Sequence, residues 1–186
     1  MQAVSNEFAR IRFPIQCLDE GWLRTASSAC SNQVDRILGQ LINANITEFA
    51  RGPVLPEDLS KCELIPGPAI FQIVEAVDIS QRKDSKNKNY KLSNRTLKML
   101  LTDGVRFAAA LEWRSISNIT EALPGLKLIC RDVPVHLSHL LLTGQNTFVL
   151  GGGVQPDAVT ATILCLDAYI NCLHVPEYNI ACQIGS

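Results

Sequence analysis

Aromatic residues are scarce in this 186-residue chain, where Phe, Trp and Tyr together make up 6% of the positions. Sheets that bind single-stranded nucleic acid present several aromatic side chains on which the bases stack. The aromatic residues in predicted strands are Phe71, Phe107, Trp113 and Phe148, and each is also a suitable core residue. The composition therefore disfavours a protein that grips bases through its own sheet.

An excess of basic charge and a long apolar run are missing too. The chain has 17 basic and 18 acidic residues and a net charge of −1, so any site for phosphate groups must be local. No run approaches the roughly 20 apolar residues of a transmembrane helix. The first 15 residues include Glu7, Arg10 and Arg12 but no apolar stretch, so we expect neither a secretory signal nor a membrane partner.

The 7 cysteines are scattered and odd in number, and no C-x-x-C pair is present. Cys165, Cys172, His174 and Cys182 offer the thiolate and imidazole ligands that zinc prefers. However, Cys165 and Cys172 fall at heptad spacing, which is typical of buried thiols on one face of a helix. We therefore predict no metal site, reduced thiols, and a location in the nucleus, the cytoplasm or both.

Catalytic patterns are equally weak. His136, Ser138 and His139 are close in sequence, but nucleophilic catalysis also needs an orienting third group and an oxyanion hole, which adjacency does not supply. The glycines at 151–153 lack the Lys-Ser or Lys-Thr that follows in a phosphate-binding P-loop. The sequence thus predicts a protein that is not an enzyme and has no cofactor.

Helical signals fill the first third of the chain. Asp19 and Ser31 are suitable N-caps, and apolar residues between positions 34 and 42 recur three or four apart. The Arg-Gly-Pro at 51–53 is a stop signal. These features predict a small helical bundle over residues 15–60.

Short β-patterns follow. Asp103-Gly104 is a strong hairpin signal, because both residues tolerate a positive φ. A short helix between the third and fourth strands is a feature of the OB-fold. The predicted elements are strands at 69–77, 95–102, 105–113 and 126–133, a short helix at 115–123, and a last strand pair formed by 138–142 and 147–150.

The predicted fold class is therefore α+β. The small N-terminal helical bundle precedes a five-stranded OB-fold β-barrel over residues 64–154. Asp157 is a suitable cap for a C-terminal helix to about residue 168, within a helix and tail over 155–186.

A polar, basic stretch at 80–94 interrupts the barrel between its first two strands. Long connections in compact domains are often functional. Two interpretations stay open: these side chains contact nucleic acid or the acidic groove of a partner, or they form a solvated connection. The candidate partner-binding residues are Arg82, Lys83, Lys86, Lys88, Tyr90 and Lys91. Trp113 is a weaker interface candidate, because a large aromatic residue at a strand end is often a binding anchor, but core burial is the favoured interpretation for it.

Several short motifs occur in a fixed order along the chain. They are LIPGPAIFQI at 64–73, MLLTDG at 99–104, LPGLKL at 123–128, LLL at 140–142 and VLGG at 149–152, preceded by helical motifs at 19–21, 46–48 and 54–59. The ordered set resembles the N-terminal region of the RecQ-mediated genome instability protein 1 and tudor-domain-containing protein 3 family. The resemblance covers about residues 15–154.

This resemblance implies a helical bundle and OB-fold that together bind a type IA topoisomerase of the III class. It also implies that residues 80–94 are the family's insertion, which reaches the topoisomerase gate and modulates strand passage. The short insertion is more similar to the tudor-protein branch, whose partner is topoisomerase III beta; the other branch acts with a RecQ helicase. We therefore expect a regulatory scaffold subunit of topoisomerase III, beta or alpha, that meets DNA or RNA mainly through that enzyme. The alternative is a stand-alone single-stranded nucleic-acid-binding OB-fold protein.

Overall fold

The computed structural model describes residues 2–80, 95–116, 119 and 124–153. Its helical part is formed by four helices: α1 (Gln2–Arg10), α2 (Glu20–Ala29), α3 (Val34–Asn43) and α4 (Ile46–Phe49). Two short 3-10 turns are also present: Ile15–Cys17 lies between α1 and α2, and Leu59–Lys61 lies between α4 and the first strand. Among the described helices, none is long and apolar enough to cross a membrane.

Local capping chemistry explains where two of these helices begin. Asp19 accepts a hydrogen bond from the backbone N–H of Trp22 at 2.8 Å, so the predicted cap of α2 is confirmed. Asn45 caps α4 in a capping box with Glu48. The prediction that Ser31 caps the next helix is wrong: Ser31 has a φ of 51° in the preceding turn, and α3 begins after Gln33.

The sheet contains eight strands within the described residues. They are β1 (Leu64–Ile65), β2 (Ala69–Asp78), β3 (Leu97–Thr102), β4 (Phe107–Glu112), β5 (Leu126–Cys130), β6 (Val133–His136), β7 (His139–Leu142) and β8 (Thr147–Gly152). Their order across the sheet is β1-β6-β7-β4-β3-β2-β5-β8. The chain passes directly from β5, which lies beside β2, into β6, which lies beside β7, so the sheet curls in the manner of an OB-fold.

The predicted count of five strands is wrong in detail. The expected strand at 126–133 is divided into β5 and β6, because Asp132 adopts a φ of 45° that breaks the extended backbone. The expected last strand pair does not form either. Instead, β7 pairs in parallel with β4 and antiparallel with β6, whereas β8 pairs with β5. Most of the predicted helix at 115–123, and all of the predicted C-terminal helix, lie outside the described residues.

Two apolar clusters share the strands β2 and β5. Phe71 and Leu128 point into the barrel, whereas their neighbours Ile70 and Ile129 pack against the helices, since side chains alternate between the faces of a strand. The spacing predicted for α3 is confirmed, because Ile37, Leu38, Leu41 and Ile42 are all buried. The helices therefore cover β2, β5 and β8 on one side, and no described element packs on the outward side of β3, β4 and β7. The division of the chain into units at 15–60, 64–154 and 155–186 stays a prediction.

The β3–β4 turn ties the barrel to the segment that follows the helices. The carboxylate of Asp103 is 1% exposed and accepts hydrogen bonds from the backbone N–H groups of Val54 and Leu55, each at 2.8 Å. It also accepts from Val105 and Arg106 in its own turn, at 2.9 Å and 2.7 Å. The hairpin predicted at Asp103-Gly104 is thus confirmed, and its aspartate holds the two parts of the fold together.

Candidate protein-docking site

The side of the sheet on which no described element packs is formed by β2, β3, β4 and β7, and we call it the outer face. Pairing registers place outward-pointing residues of the four strands in two rows across it. One row is Val77, Lys98, Leu111 and Leu141, and the next is Glu75, Leu100, Ala109 and His139. Five of these eight side chains are aliphatic, so this surface is largely apolar.

An open cleft of about 270 Å³ crosses the outer face. It is lined by Glu75, Val77, Lys98, Met99, Leu100 and Ala109. Val77 is 52% exposed and Phe107, on the neighbouring part of β4, is 62% exposed. A contiguous apolar patch with a few charges at its edge is typical of a protein-binding surface.

The basic stretch leaves and re-enters the sheet at one edge of the outer face, and a carboxylate holds its two ends together. Asp78 Oδ1 accepts hydrogen bonds from the backbone N–H of Ser80 at 3.0 Å and from its hydroxyl at 2.5 Å. The same oxygen accepts from the N–H of Thr96 at 3.3 Å, and Ile79 donates its N–H to the Thr96 carbonyl. The residues on either side of the 81–94 segment therefore lie in fixed positions.

A buried ion pair lies next to these Asp78 contacts and also holds the second end of the basic stretch. Arg95 donates to both carboxylate oxygens of Glu112, at 3.1 Å and 3.2 Å, and the two side chains are 9% and 1% exposed. Glu112 also accepts from the N–H groups of Leu97 and Ile116. A bidentate pair with further hydrogen bonds compensates the desolvation of both charges. We call Asp78, Ser80, Arg95, Thr96 and Glu112 together the loop base.

Trp113 follows Glu112 directly and is 66% exposed, so the favoured prediction that it is a core residue is wrong. Its backbone N–H donates to the Leu142 carbonyl at 2.8 Å, which fixes its main chain at the end of β4. An exposed indole on a held backbone, next to the loop base, has the position of an interface anchor. Its role in binding stays a prediction.

The other predicted site residues, Arg82, Lys83, Lys86, Lys88, Tyr90 and Lys91, lie outside the described residues. The structure does describe the loop base that holds the two ends of this stretch. The loop base was not predicted from the sequence. One signal was available, since alternation along β4 sets Ala108, Ala110 and Glu112 on the same inward face. A glutamate at an inward position needs a partner, and Arg95 supplies it.

The sequence contains only weak metal-binding and catalytic patterns, and the described residues do not strengthen them. Across them, no group of three or more His, Cys, Asp or Glu side chains is arranged to hold a metal. Ser138 lies in a tight turn with a φ of 60°, and the ring of His139 faces the Leu137 carbonyl. Burial raises the pKa of Cys17 to about 11 and that of Cys130 to about 12, so both thiols stay protonated at neutral pH. Cys165, Cys172, His174 and Cys182, for which the sequence predicts burial and no metal site, lie outside the described residues.

A family model described as RMI1, N-terminal OB-fold domain, matches residues 80–157, a range that starts at the basic stretch and includes β3 to β8. This match confirms the predicted resemblance. The curled sheet therefore carries an OB-fold domain similar to that of RecQ-mediated genome instability protein 1.

Similar proteins carry both names of the predicted family. Tudor domain-containing protein 3 of Xenopus tropicalis is 36% identical over 105 residues, which are 54% of this chain and 14% of that protein. RecQ-mediated genome instability protein 1 of Arabidopsis thaliana is 32% identical over 108 residues, which are 56% of this chain and 17% of that protein. The Danio rerio protein of the same name is 29% identical over 156 residues, covering 70% of this chain and 30% of that protein. The chain thus spans less than a third of the length of these relatives.

Proposed function

We propose that this chain is a non-catalytic scaffold subunit that docks on a type IA topoisomerase of the III class and modulates strand passage on DNA or RNA. The beta enzyme is favoured over the alpha enzyme, because the insertion is short and Tudor domain-containing protein 3 is among the relatives. The relatives' name, RecQ-mediated genome instability protein 1, suggests a RecQ helicase complex as the wider setting. We propose that the chain acts in the nucleus, the cytoplasm or both.

The observation that carries the proposal is the position of the apolar outer face beside the loop base. A partner that covers Val77, Leu111 and Leu141 removes aliphatic surface from water, which supplies affinity without specific charges. Trp113 at the margin adds a large exposed aromatic anchor. The basic stretch starts from the same edge, so the partner meets the barrel and the basic side chains together.

The composition of the outer face argues against the alternative, a stand-alone binder of single-stranded nucleic acid. Such binding needs a basic groove along the strand and aromatic side chains under the bases. The eight residues of the two rows include one lysine, Lys98, one glutamate, Glu75, and one histidine, His139, but no Phe, Tyr or Trp. Phe107 and Trp113 lie beside the rows, and the main basic charge lies in the 81–94 stretch. The surface is therefore better suited to a protein than to bases.

The proposed mechanism is positional. The Arg95–Glu112 pair and Asp78 fix both ends of the basic stretch, so docking of the rigid barrel fixes where that stretch meets the enzyme. Five basic side chains and Tyr90 then contact the topoisomerase gate or the nucleic acid that passes through it. The chain itself supplies no reacting group in this proposal.

Co-purification with topoisomerase III alpha and with topoisomerase III beta tests the docking. We expect the intact chain to be retained, and Val77→Glu to lose retention because it places a charge in the apolar contact. The matched control is Leu64→Glu in β1, which makes the same change at similar exposure, 49% against 52%, on a distant part of the sheet. Failure of both enzymes to retain the intact chain overturns the proposal.

A second experiment separates the loop from the barrel. Residues 81–91 are replaced by Gly and Ser, and the complex is assayed for retention and for strand passage. We expect the replaced chain to be retained by the topoisomerase but no longer to stimulate strand passage. Equal stimulation by the replaced chain would rule out the role of the basic stretch. Tight binding of single strands by the intact chain alone, with a steep loss on adding salt, would favour the alternative instead.

A further inference from the structure

The short turn between β6 and β7 carries a leucine in a backbone conformation that leucine rarely adopts. His136 pairs with His139, so the connection consists of two residues, Leu137 and Ser138. Their φ angles are 47° and 60°, and a two-residue hairpin with positive φ at both positions usually contains asparagine and glycine. A bulky side chain at a positive φ is unfavourable for folding, and such positions cluster at functional sites. The leucine therefore needs a reason other than the stability of the turn.

Leu137 is also the most exposed large apolar side chain among the described residues, at 81%. Hydrogen bonds hold the strands and the turn on which it lies. Val135 donates its N–H to the Glu63 carbonyl at 2.8 Å, and His139 Nδ1 lies 2.8 Å from the Leu137 carbonyl oxygen. A side chain on a held backbone loses little freedom when it binds, which favours affinity.

Leu137 lies at the end of the outer face opposite to the loop base. β7 runs parallel to β4, with His139 beside Ala109. Leu137 precedes His139 by two residues, as Phe107 precedes Ala109, so both lie at the same end of these two strands. Val105 lies in the adjoining β3–β4 turn, and it and Phe107 are both exposed. We call Val105, Phe107 and Leu137 the turn-end residues.

Exposed apolar side chains thus lie at both ends of the outer face. The eight exposed large apolar side chains of the described residues include three beside the loop base, Val77, Ile79 and Trp113, and the three turn-end residues. From Phe107 to Trp113 the chain advances about 20 Å. An interface of ordinary size covers about 800 Å² on each partner, a patch about 30 Å across, so one folded protein can cover both ends.

The charges near the turn-end residues are already paired within the chain. The Asp103 carboxylate is buried and accepts four backbone N–H groups. Arg106 donates to Glu57 at 3.1 Å and to the Leu55 carbonyl. The turn-end residues therefore offer mainly apolar contacts, and their complement is an apolar pocket on a protein rather than a charged ligand.

We propose that Leu137 is a second anchor of the outer-face contact and inserts, with Phe107 and Val105, into an apolar pocket of the partner that covers Trp113. A partner held at Trp113 alone can pivot, whereas two anchors about 20 Å apart fix its orientation along the strands. Leu137 is then a positioning residue, because it sets how the partner meets the basic stretch at the other end. This inference rests on the proposed function, since the partner is the topoisomerase named there.

Leu137→Asn tests the anchor, because asparagine suits a left-handed backbone but lacks the apolar side chain. We expect the midpoint of urea unfolding to stay the same or rise. Affinity for the topoisomerase III, alpha or beta, that retains the intact chain should fall about tenfold in isothermal titration. A residue with only a structural role would instead lose stability when it is replaced.

Ser138→Gly is the matched control in the same turn. Glycine also suits a positive φ, and this variant keeps the leucine, so we expect a raised unfolding midpoint with unchanged affinity. Strand passage is then measured with Leu137→Asn at concentrations that saturate the topoisomerase. We expect weaker stimulation than with the intact chain, because the bound partner is free to pivot.

The outcomes separate this inference from the proposed function. If the topoisomerase binds the intact chain and Leu137→Asn equally well, the inference is overturned while the proposed function stands. If it binds neither, both are overturned. A lower unfolding midpoint for Leu137→Asn also overturns the inference, because the leucine then has a folding role. So does sedimentation in which the intact chain is a dimer and the variant a monomer, because Leu137 then contacts a second copy.

Discussion

The two connections that flank β3 differ in length and charge, yet both depend on a carboxylate that accepts hydrogen bonds from backbone N–H groups. The β3–β4 turn is short, and Asp103 binds it to the segment after the helices. The β2–β3 connection is long and basic, and Asp78 and Glu112 hold its two ends. One end of the barrel is therefore closed onto the rest of the fold, whereas the other end presents a charged segment beside an apolar face.

The largest loss in the free energy of unfolding is expected at the closed end of the barrel, which is the β3–β4 turn. Asp103→Ala leaves four backbone N–H groups without their acceptor in a buried site, so we expect a loss of about 4 kcal/mol in the free energy of unfolding. Urea denaturation measures it. Asp103→Asn, which keeps one acceptor oxygen, should lose less. A loss below about 1 kcal/mol for the alanine variant would show that the turn does not hold the two parts together.

A smaller loss in the free energy of unfolding is expected at the open end of the barrel, where the loop base holds the basic stretch. Arg95→Met removes the cation from a pair in which Glu112 is 1% exposed, which leaves a buried carboxylate uncompensated, and we expect a loss of about 3 kcal/mol. The double variant Arg95→Met with Glu112→Leu should recover part of it. If the double variant is less stable than Arg95→Met alone, the hydrogen bonds from Leu97 and Ile116 matter more than the ion pair.

The junction between α3 and the sheet gives a pH-dependent prediction. Burial lowers the pKa of Lys127 to about 8, an effect that nearby Glu48 partly opposes. The unfolded lysine keeps its proton up to about pH 10.5, so between pH 8 and 10.5 the unfolded state binds more protons and stability rises with pH. We expect a gain on the order of 1 kcal/mol from this residue across that window.

Lys127→Met isolates that contribution. The raised pKa values of Cys17 and Cys130 act in the opposite direction, because stability from protonated thiols is lost as pH rises above the unfolded value. The difference between the two proteins, measured by urea unfolding at pH 7 and pH 10, removes the thiol effect. A difference that does not change with pH would contradict the prediction.

Features encoded by a few neighbouring residues were predictable from sequence, whereas the support of the basic stretch was not. Asp103-Gly104 specifies its turn within two residues, and Asp19 caps α2 three residues away. The parallel pairing of β7 with β4 and the pair Arg95–Glu112 join residues far apart in sequence, so no short pattern encodes them. The order of motifs identified the family resemblance but could not show which surface of the barrel is exposed.

The smallest effect on stability and the sharpest contrast between the two ends are expected at Trp113. Its side chain is 66% exposed, so Trp113→Ala should change the free energy of unfolding by less than about 0.5 kcal/mol. If the open end is the interface, the same variant should bind topoisomerase III at least about tenfold more weakly, since truncation of an aromatic anchor typically costs more than 1 kcal/mol. Isothermal titration beside urea denaturation measures both quantities. A stable variant with unchanged affinity would place the interface elsewhere on the barrel, because Trp113 then has neither a folding role nor a binding role.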